Sequence, residues 1–426
     1  MYFYRIGNKT CISFTERRNL QPATGEERKT PEVFLFDRKG DKARASFAVT
    51  DVSLLQQESE GAFWLSEGKL KEAAAQSKVQ AESLPEEVQE AVRSGKLMAI
   101  NAEHPQSLEI LQGEKRFDFR VGAPKKPVHI LALGDVGSHL LTGLHLLCGD
   151  CISDIVIYDI EEKNMKRWEF EVNQIAYPWD YDRLPAVHLV REENLFDCDV
   201  FIFVASAGIP PVDSGVQDVR MVQLKKNKAI ISTYARLARE KGFRGLFCEV
   251  ADPVDPLAQA AYYASNTNDQ GVFDGKGLLP EQIQGYGLGV MNARAAYYAR
   301  KDPRFSSFLI QGRAFGPHGQ ELVIANSIAA YDDALSGELT EKVVGANLEM
   351  RSLGFKPFVA PAYSSGAISI LETLRGKWHY GSVFFGGIYM GVKNRYTSCG
   401  LEHEILPLPD ALYARIAAAE AALHAV

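Results

Sequence analysis

Short apolar runs alternate with helix-like patterns from residue 128 onward. Strands of a parallel sheet read as continuous runs of Val, Ile, Leu and Phe, because helices cover both faces of such a sheet. The runs that we assign to strands are residues 128–133, 154–158, 200–204, 228–231 and 245–250. A strongly helical segment at residues 410–425 ends the chain. The pattern therefore predicts an α/β fold with a mainly parallel sheet.

The first 112 residues have a different pattern, which predicts a small α+β domain. Strand-like runs occupy residues 1–6, 9–14, 32–36 and 44–49, and the turn at Lys39-Gly40-Asp41 predicts that the last two form a hairpin. Helical patterns follow at residues 69–79 and from Leu84. Residues 113–127, with two glycines and two prolines, read as a linker. Interaction, oligomerisation and lid roles all stay open for this unit.

The composition narrows the class of partner. The chain has 426 residues, a formal net charge of −7 and 46% hydrophobic residues, which favours two or three folded domains. The sequence contains no cluster of basic residues of the kind that binds nucleic acid or an anionic membrane. The first residues lack the apolar core of a signal peptide, so we expect a cytoplasmic protein that binds small molecules or other protein chains.

The six cysteines are scattered, which is unlike a secreted disulfide scaffold. Cys148 and Cys151 form a C-x-x-C pair without a second pair or a histidine at ligand spacing. We expect buried thiols there and no metal site.

A glycine-rich turn after the first apolar run carries the clearest chemistry. It is Ala132-Leu133-Gly134-Asp135-Val136-Gly137, a dinucleotide-binding fingerprint with Ala in place of the first glycine, and a helix is expected from about Ser138. Gly134 would admit a pyrophosphate and Gly137 would let helix and strand approach. Asp159 ends the next run 22 residues after Gly137, where a carboxylate binds the adenosine ribose and repels a 2′-phosphate. The sequence thus predicts NAD as the cofactor.

Further blocks follow the order and spacing of the lactate/malate dehydrogenase family. They are residues 195–200, Ala207-Gly208-Ile209-Pro210, Arg220 with Asn227, and residues 251–255, 287–294, 316–319 and 363–389. From about residue 128 onward the chain resembles that family. The resemblance implies an NAD-binding Rossmann domain at 128–268 and an α+β substrate domain at 269–426, after an N-terminal domain at 1–112 and the linker. It also implies cofactor contacts at Ala205, Ala207, Gly208 and Asn227, and a homodimer or homotetramer.

In this family a hydride passes reversibly between the nicotinamide and C2 of a 2-hydroxy or 2-keto acid. The resemblance implies that His318, in Gly-Pro-His-Gly, is the general acid/base, since imidazole exchanges protons near neutral pH. It implies that Arg294 grips the substrate carboxylate and that Arg220, on a mobile loop, polarises the carbonyl. Ser365 lies in the matching block 363–389, and the resemblance implies that it contacts the substrate. A structural histidine and arginines in salt bridges are the alternatives.

The sequence departs from the family at two site positions. The family's aspartate behind the histidine falls on Met291, or on Asn292 if the helix is offset by one residue, so an amide at Asn292 is the candidate that orients His318. Asp252 replaces the family's asparagine near the proposed carbonyl site. A carboxylate there opposes an anionic keto acid unless Asp252 is protonated or points elsewhere.

The substrate loop at residues 210–220 is longer than usual and has no base before Arg220, whereas Asp213 and Asp218 would repel a second carboxylate. We therefore expect a 2-hydroxy or 2-keto acid that is not a dicarboxylate. A homologue that binds NAD without catalysis, as a sensor or assembly subunit, is the alternative function.

Overall fold

The computed structural model describes residues 1–24, 30–55, 84–113, 124–207 and 219–426, with the backbone alone at residues 53 and 219–223. The helix expected at 69–79, most of the linker, Gly208 and the substrate loop up to residue 218 lie outside these ranges.

A nine-stranded sheet forms the centre of the molecule. Its strands are β7 Lys126–Leu131, β8 Ile152–Tyr158, β9 Ala186–Leu189, β10 Val200–Phe203, β11 Leu246–Glu249, β12 Ile283–Gly285, β15 His379–Phe385, β16 Ile388–Thr397 and β17 Gly400–His403, with a separate pair β13 Arg313–Phe315 and β14 Val323–Ala325. The order in the sheet is β17-β16-β15-β12-β11-β10-β7-β8-β9, parallel from β12 to β9 and antiparallel elsewhere. Numbered along the chain, the six parallel strands have the order 3-2-1-4-5-6, which is that of a dinucleotide-binding Rossmann fold.

Helices cover both faces of this sheet. They are α3 Asp135–Leu147, α4 Glu162–Val172, α5 Val219–Glu240, α6 Val254–Asn266, α7 Leu288–Lys301, α8 Phe308–Gln311, α9 Asp333–Ser352, a π-helical segment Pro361–Ile368, α10 Ser369–Leu374 and α11 Asp410–His424. Ile130 and Ile202 share a core with Leu140 of α3. Phe201 and Phe247 point to the other face and share a core with Leu257 of α6. The continuous apolar strands are thus buried on both sides, as the sequence predicts.

The elements of the N-terminal unit are β1 Tyr2–Ile6, β2 Lys9–Ser13, β3 Gln21–Pro22, β4 Val33–Phe36, β5 Ser46–Val49, α1 Glu86–Arg93, β6 Leu97–Asn101 and α2 Ser107–Leu111. Its six strands form a sheet with the order β3-β1-β2-β4-β6-β5. The expected hairpin of β4 and β5 is wrong, because β6 lies between them, parallel to β4 and antiparallel to β5. A local turn signal cannot reveal a strand that arrives about fifty residues later.

This unit is fastened to the central sheet by buried polar contacts. Arg44 is fully buried and donates from Nε and Nη2 to the carbonyl of Phe384, at 2.9 and 2.6 Å. Ser46 donates to the buried carboxylate of Glu281 at 2.5 Å. The N-terminal unit therefore packs directly against the central sheet.

The strand expected at residues 228–231 is also wrong, because these residues lie inside α5. Leu224, Ile231, Ala235 and Ala238 are buried at helical spacing along this segment. A four-residue apolar run does not distinguish a strand from one turn of a buried helix. None of the helices in the described ranges has both the length and the hydropathy to cross a membrane.

Candidate active site

The carboxyl ends of the parallel strands bring most of the predicted site residues to one edge of the sheet. The chain order reverses between β7 and β10, and ligands of doubly wound sheets bind outside the strands at such a point. The turn after β7, Asp159 after β8, Ala205 and Ala207 after β10, and the segment 252–255 after β11 all lie at this edge.

The turn between β7 and α3 has the shape that a phosphate site requires. Ala132, in place of the first glycine, adopts φ of 78°. A Cβ on Gly137 would lie 2.0 Å from the carbonyl oxygen of Ala132, so the contact between helix and turn requires glycine there. Gly134 is exposed and faces open space, with no atom within 4 Å of an added Cβ. The helix begins at Asp135, three residues before the expected start, so its first N–H groups point into this space.

Asp159 lies where a ribose-binding carboxylate belongs, and it also holds the turn together. Its Oδ2 accepts from the N–H of Leu133 at 2.7 Å and from Asn164 at 3.3 Å, and its Oδ1 accepts from the N–H of Glu161 at 2.9 Å. Oδ1 keeps a lone pair for a further donor such as a ribose hydroxyl.

An ion pair stands beside the phosphate turn. Lys356 Nζ lies 2.9 Å from Asp135 Oδ2, and Val136 next to it is packed against the core. The positive charge of Lys356 offsets the negative charge of Asp135, which would otherwise repel a pyrophosphate. The turn between β7 and α3, the N-terminus of α3 and Asp159 thus fit a bound dinucleotide.

Asn227 connects the ends of two strands. Its Oδ1 accepts from the N–H of Ala207 at 2.9 Å, and its Nδ2 donates to the carbonyl of Asp252 at 2.8 Å. Ala205 is half-buried and Ala207 is exposed at the same edge. Asn227 is fully buried, so it positions the backbone at this edge of the sheet rather than offering its amide to solvent.

Arg294 lies on α7 and is half-buried. Nη2 donates to Oδ1 of Asn347 at 2.5 Å, and Nη1 lies 3.4 Å from the sulfur of Met291. Burial lowers the pKa of Arg294, while Tyr298 and Asp252 oppose this effect. Across the described ranges no carboxylate forms an ion pair with this guanidinium, which leaves its charge available to an anionic ligand.

His318 follows β13 and is fastened by a buried carboxylate. Its N–H donates to Oδ2 of Asp255 at 3.1 Å, and the hydroxyl of Ser382 donates to Oδ1. Burial raises the pKa of Asp255 to about 6, although these hydrogen bonds act in the opposite direction. Asp255 lies in a sequence block that matches the family, but nothing in the sequence pairs it with His318 or Ser382.

The Nδ1 atom of His318 is buried and has no hydrogen-bond partner in the described structure. An added Cβ on Gly287 would lie 2.9 Å from this nitrogen, so the ring packs on the glycine at the start of α7. Met291 is buried, and Asn292 makes no hydrogen bond to the ring. The amide contact expected for Asn292 is therefore absent from this structure.

Ser365 is buried, and its hydroxyl both donates and accepts a hydrogen bond. It donates to the carbonyl of Gly287 at 2.7 Å and accepts from the N–H of Val290 at 2.8 Å. It thus caps the first turn of α7 and supports Arg294 indirectly, which differs from the direct substrate contact that the sequence suggests. Arg220 lies in the first turn of α5, where the structure describes the backbone alone.

A second buried carboxylate stands near this edge. Glu249, at the end of β11, is fully buried, and its two oxygens have no hydrogen-bond partner in the described ranges. Burial raises the pKa of Glu249 well above its ordinary value, and Asp252 and Asp255 add to this effect. The sequence does not single out Glu249, because the run around it has the pattern of an apolar strand.

No family model matches the sequence. The curated relatives that it matches are bacterial L-lactate dehydrogenases. It is 25% identical to that of Staphylococcus epidermidis over 214 residues, 24% to that of Halalkalibacterium halodurans over 284 residues and 27% to that of Mycoplasma pneumoniae over 196 residues. These matches span 49%, 66% and 46% of this chain, and 61%, 78% and 57% of the three relatives.

Solved structures show the same fold. A minor L-lactate dehydrogenase of Enterococcus mundtii is matched over 71% of this chain and 97% of its own, with a TM-score of 0.57 and 18% identity. The malate dehydrogenase of Archaeoglobus fulgidus in complex with NADH is matched over 70% and 97%, with a TM-score of 0.56 and 17% identity. Together with the strand order and the motif blocks, these similarities support a divergent relative of the lactate and malate dehydrogenases.

Proposed function

We propose that this chain is an NAD(H)-dependent oxidoreductase that interconverts a 2-hydroxy acid and its 2-keto acid, with dicarboxylates as poor substrates. The observation that carries the proposal is Arg294, a half-buried guanidinium without a carboxylate partner among the described residues, on the helix whose N-terminal Gly287 packs against His318. The malate dehydrogenase with bound NADH supports the cofactor by similarity.

The site residues divide the work as follows. The glycine-rich turn after β7 and Asp159 would hold the dinucleotide, whose nicotinamide would supply the hydride chemistry. Arg294, oriented by Asn347, binds the substrate carboxylate and places C2 for the transfer. His318 exchanges the proton of the C2 oxygen through Nε2, while Asp255 fixes its backbone. Arg220 is proposed to close over the substrate, and a homodimer or homotetramer is the proposed assembly.

No carboxylate or other acceptor contacts the buried Nδ1 of His318 within the described structure, so a proton on that nitrogen would lack a hydrogen-bond partner. This same feature favours the second candidate function, an NAD-binding homologue without catalysis, because imidazolium lacks its stabilising carboxylate.

The test mixes the protein with NADH and a panel of neutral 2-keto acids and follows NADH absorbance, with NADH binding measured separately by fluorescence. We expect NADH-dependent turnover that is lost in His318→Ala, with unchanged NADH binding. Arg294→Lys is the matched variant for the clamp, since it keeps the charge but loses the bidentate geometry, and we expect KM to rise. NADH binding without turnover across the panel would favour the non-catalytic candidate.

A further inference from the structure

The candidate site carries one negative side chain that the reaction of a keto acid does not need. We propose that the site also oxidises 2-amino acids, and prefers them to 2-hydroxy acids, because Asp252 binds the substrate nitrogen while Arg294 binds the carboxylate. This inference rests on the proposed NAD-dependent function and adds the chemical class of its substrate.

The segment around Asp252 is held next to His318. The carbonyl of Asp252 accepts from Asn227 at 2.8 Å, and its side chain is exposed at the ligand-binding edge of the sheet. Two residues on, Cγ2 of Val254 and Nδ1 of His318 both lie 2.9 Å from the point where a Cβ on Gly287 would stand. Asp255 then holds the N–H of His318. Asp252 is therefore anchored within the site.

Asp252 also differs from the other two acidic side chains of this edge. Glu249 and Asp255 are buried, whereas Asp252 is exposed and forms no ion pair within the described part of the chain. Asp252 follows β11, and Arg294 lies on α7, the helix that follows the neighbouring parallel strand β12. The charge of Asp252 also acts to raise the pKa of Arg294. One exposed anion and one partly exposed cation thus follow adjacent strands, and they complement a ligand with a carboxylate and an ammonium group on adjacent atoms.

The charge that develops in the reaction separates the two substrate classes. Reduction of a ketone places negative charge on the C2 oxygen, and a carboxylate nearby destabilises that charge. Oxidation of an amine places positive charge on the C2 nitrogen, and the same carboxylate stabilises it. Asp252 therefore opposes the first reaction and favours the second.

The proposed step balances as follows. His318 accepts one proton from the ammonium group through Nε2, which leaves a neutral amine. The C2 hydrogen departs with its electron pair to the bound nicotinamide, and the nitrogen lone pair forms the C2=N double bond of an iminium ion. Water then adds to C2 and the nitrogen leaves as ammonia, which yields the 2-keto acid.

The experiment compares NAD-dependent oxidation of matched 2-amino and 2-hydroxy acids by the full chain, with ammonia release as the product assay. We expect the amino acid to be preferred in kcat/KM. In Asp252→Asn, an isosteric change, we expect this preference to fall by about 10- to 100-fold, which is the range for one charge-assisted hydrogen bond. Asp182→Asn, at an exposed aspartate elsewhere on the surface, is the control and should leave the preference unchanged.

A binding measurement gives a readout that does not depend on turnover. The probe is a 2-amino acid titrated into the complex of the protein with NADH, followed by calorimetry, and we expect the Asp252→Asn variant to bind it more weakly. Turnover of 2-hydroxy acids alone would overturn this inference and leave the proposed function standing. A change in the ratio of NAD⁺ to NADH affinity in the variant, with no change in substrate preference, would also overturn it, because Asp252 would then face the nicotinamide. Absence of NADH binding would refute the proposed function itself.

Discussion

Gly287 provides a direct test of the position of His318, because the ring packs on this glycine. An added Cβ would lie 2.8 Å from Cβ of His318, 2.9 Å from its Nδ1 and 2.9 Å from Cγ2 of Val254. Carbon atoms in good contact are about 3.5 to 4.0 Å apart, so the Gly287→Ala change displaces the imidazole by roughly 0.6 to 1.2 Å. The φ of Gly287 is −122°, so alanine fits the backbone and the effect comes from the side-chain contacts alone.

A displacement of about 1 Å of a reacting group costs on the order of 100-fold in rate. We expect kcat for the best substrate to fall by about that factor in Gly287→Ala, with a loss of about 1 to 3 kcal/mol in the free energy of unfolding from overpacking. NADH affinity should stay unchanged. Steady-state kinetics, NADH fluorescence and urea unfolding measure the three quantities.

Gly345 is the matched control, since it lies in α9 with no atom within 4 Å of an added Cβ. Gly345→Ala should raise the free energy of unfolding by about 0.5 to 1 kcal/mol, because glycine is unfavourable inside a helix, and should leave kcat unaltered. Wild-type kcat in Gly287→Ala, in a protein whose stability has fallen as expected, would show that His318 does not act in the reaction.

Three further changes test other parts of the molecule. Because burial raises the pKa of Asp255 from 3.8 to about 6, the stability that it contributes is fully present below about pH 4 and is lost as the pH rises through 6. As the pH rises, the free energy of unfolding of the wild type should therefore fall by up to about 3 kcal/mol more than that of Asp255→Asn. Urea unfolding at several pH values measures this difference, and the same pH dependence in both proteins would contradict it. Arg44→Met should lower the free energy of unfolding by about 1 to 3 kcal/mol, because the buried carbonyl of Phe384 loses both hydrogen bonds from Arg44. A thermal unfolding transition at the wild-type temperature would contradict this contact. Lys356→Ala should change the free energy of unfolding by less than about 1 kcal/mol, since the lysine side chain is 80% exposed. The change should weaken NADH binding several-fold, because it leaves the carboxylate of Asp135 unpaired beside the pyrophosphate. Equal Kd values for NADH in the two proteins, measured by fluorescence, would show that the pyrophosphate binds elsewhere.

The fingerprint and its helix could be predicted because they depend on residues close together in the chain. Gly137 is required by a backbone atom five residues before it, and Asp159 ends the strand that follows. The strand order could also be anticipated, since alternating strands and helices favour a doubly wound sheet. These features need no knowledge of the rest of the molecule.

The features that escaped sequence reasoning all depend on distant partners. The pairing of β6 between β4 and β5, and the contact of Asp255 with Ser382, join segments that are far apart in the chain. Lys356 reaches Asp135 across 221 positions. Met291 was recognised as a departure from the family, but only the packing of His318 on Gly287 shows that its Nδ1 has no partner.

The most direct test of the central proposal is NADH oxidation by the full chain with a panel of neutral 2-keto acids, each with and without ammonia, measured beside His318→Ala and Arg294→Ala. We expect NADH to be consumed by the wild type with at least one substrate and by neither variant, while all three proteins bind NADH with the same affinity. Equal consumption by the wild type and both variants, or a wild type that does not bind NADH, would contradict the proposed function.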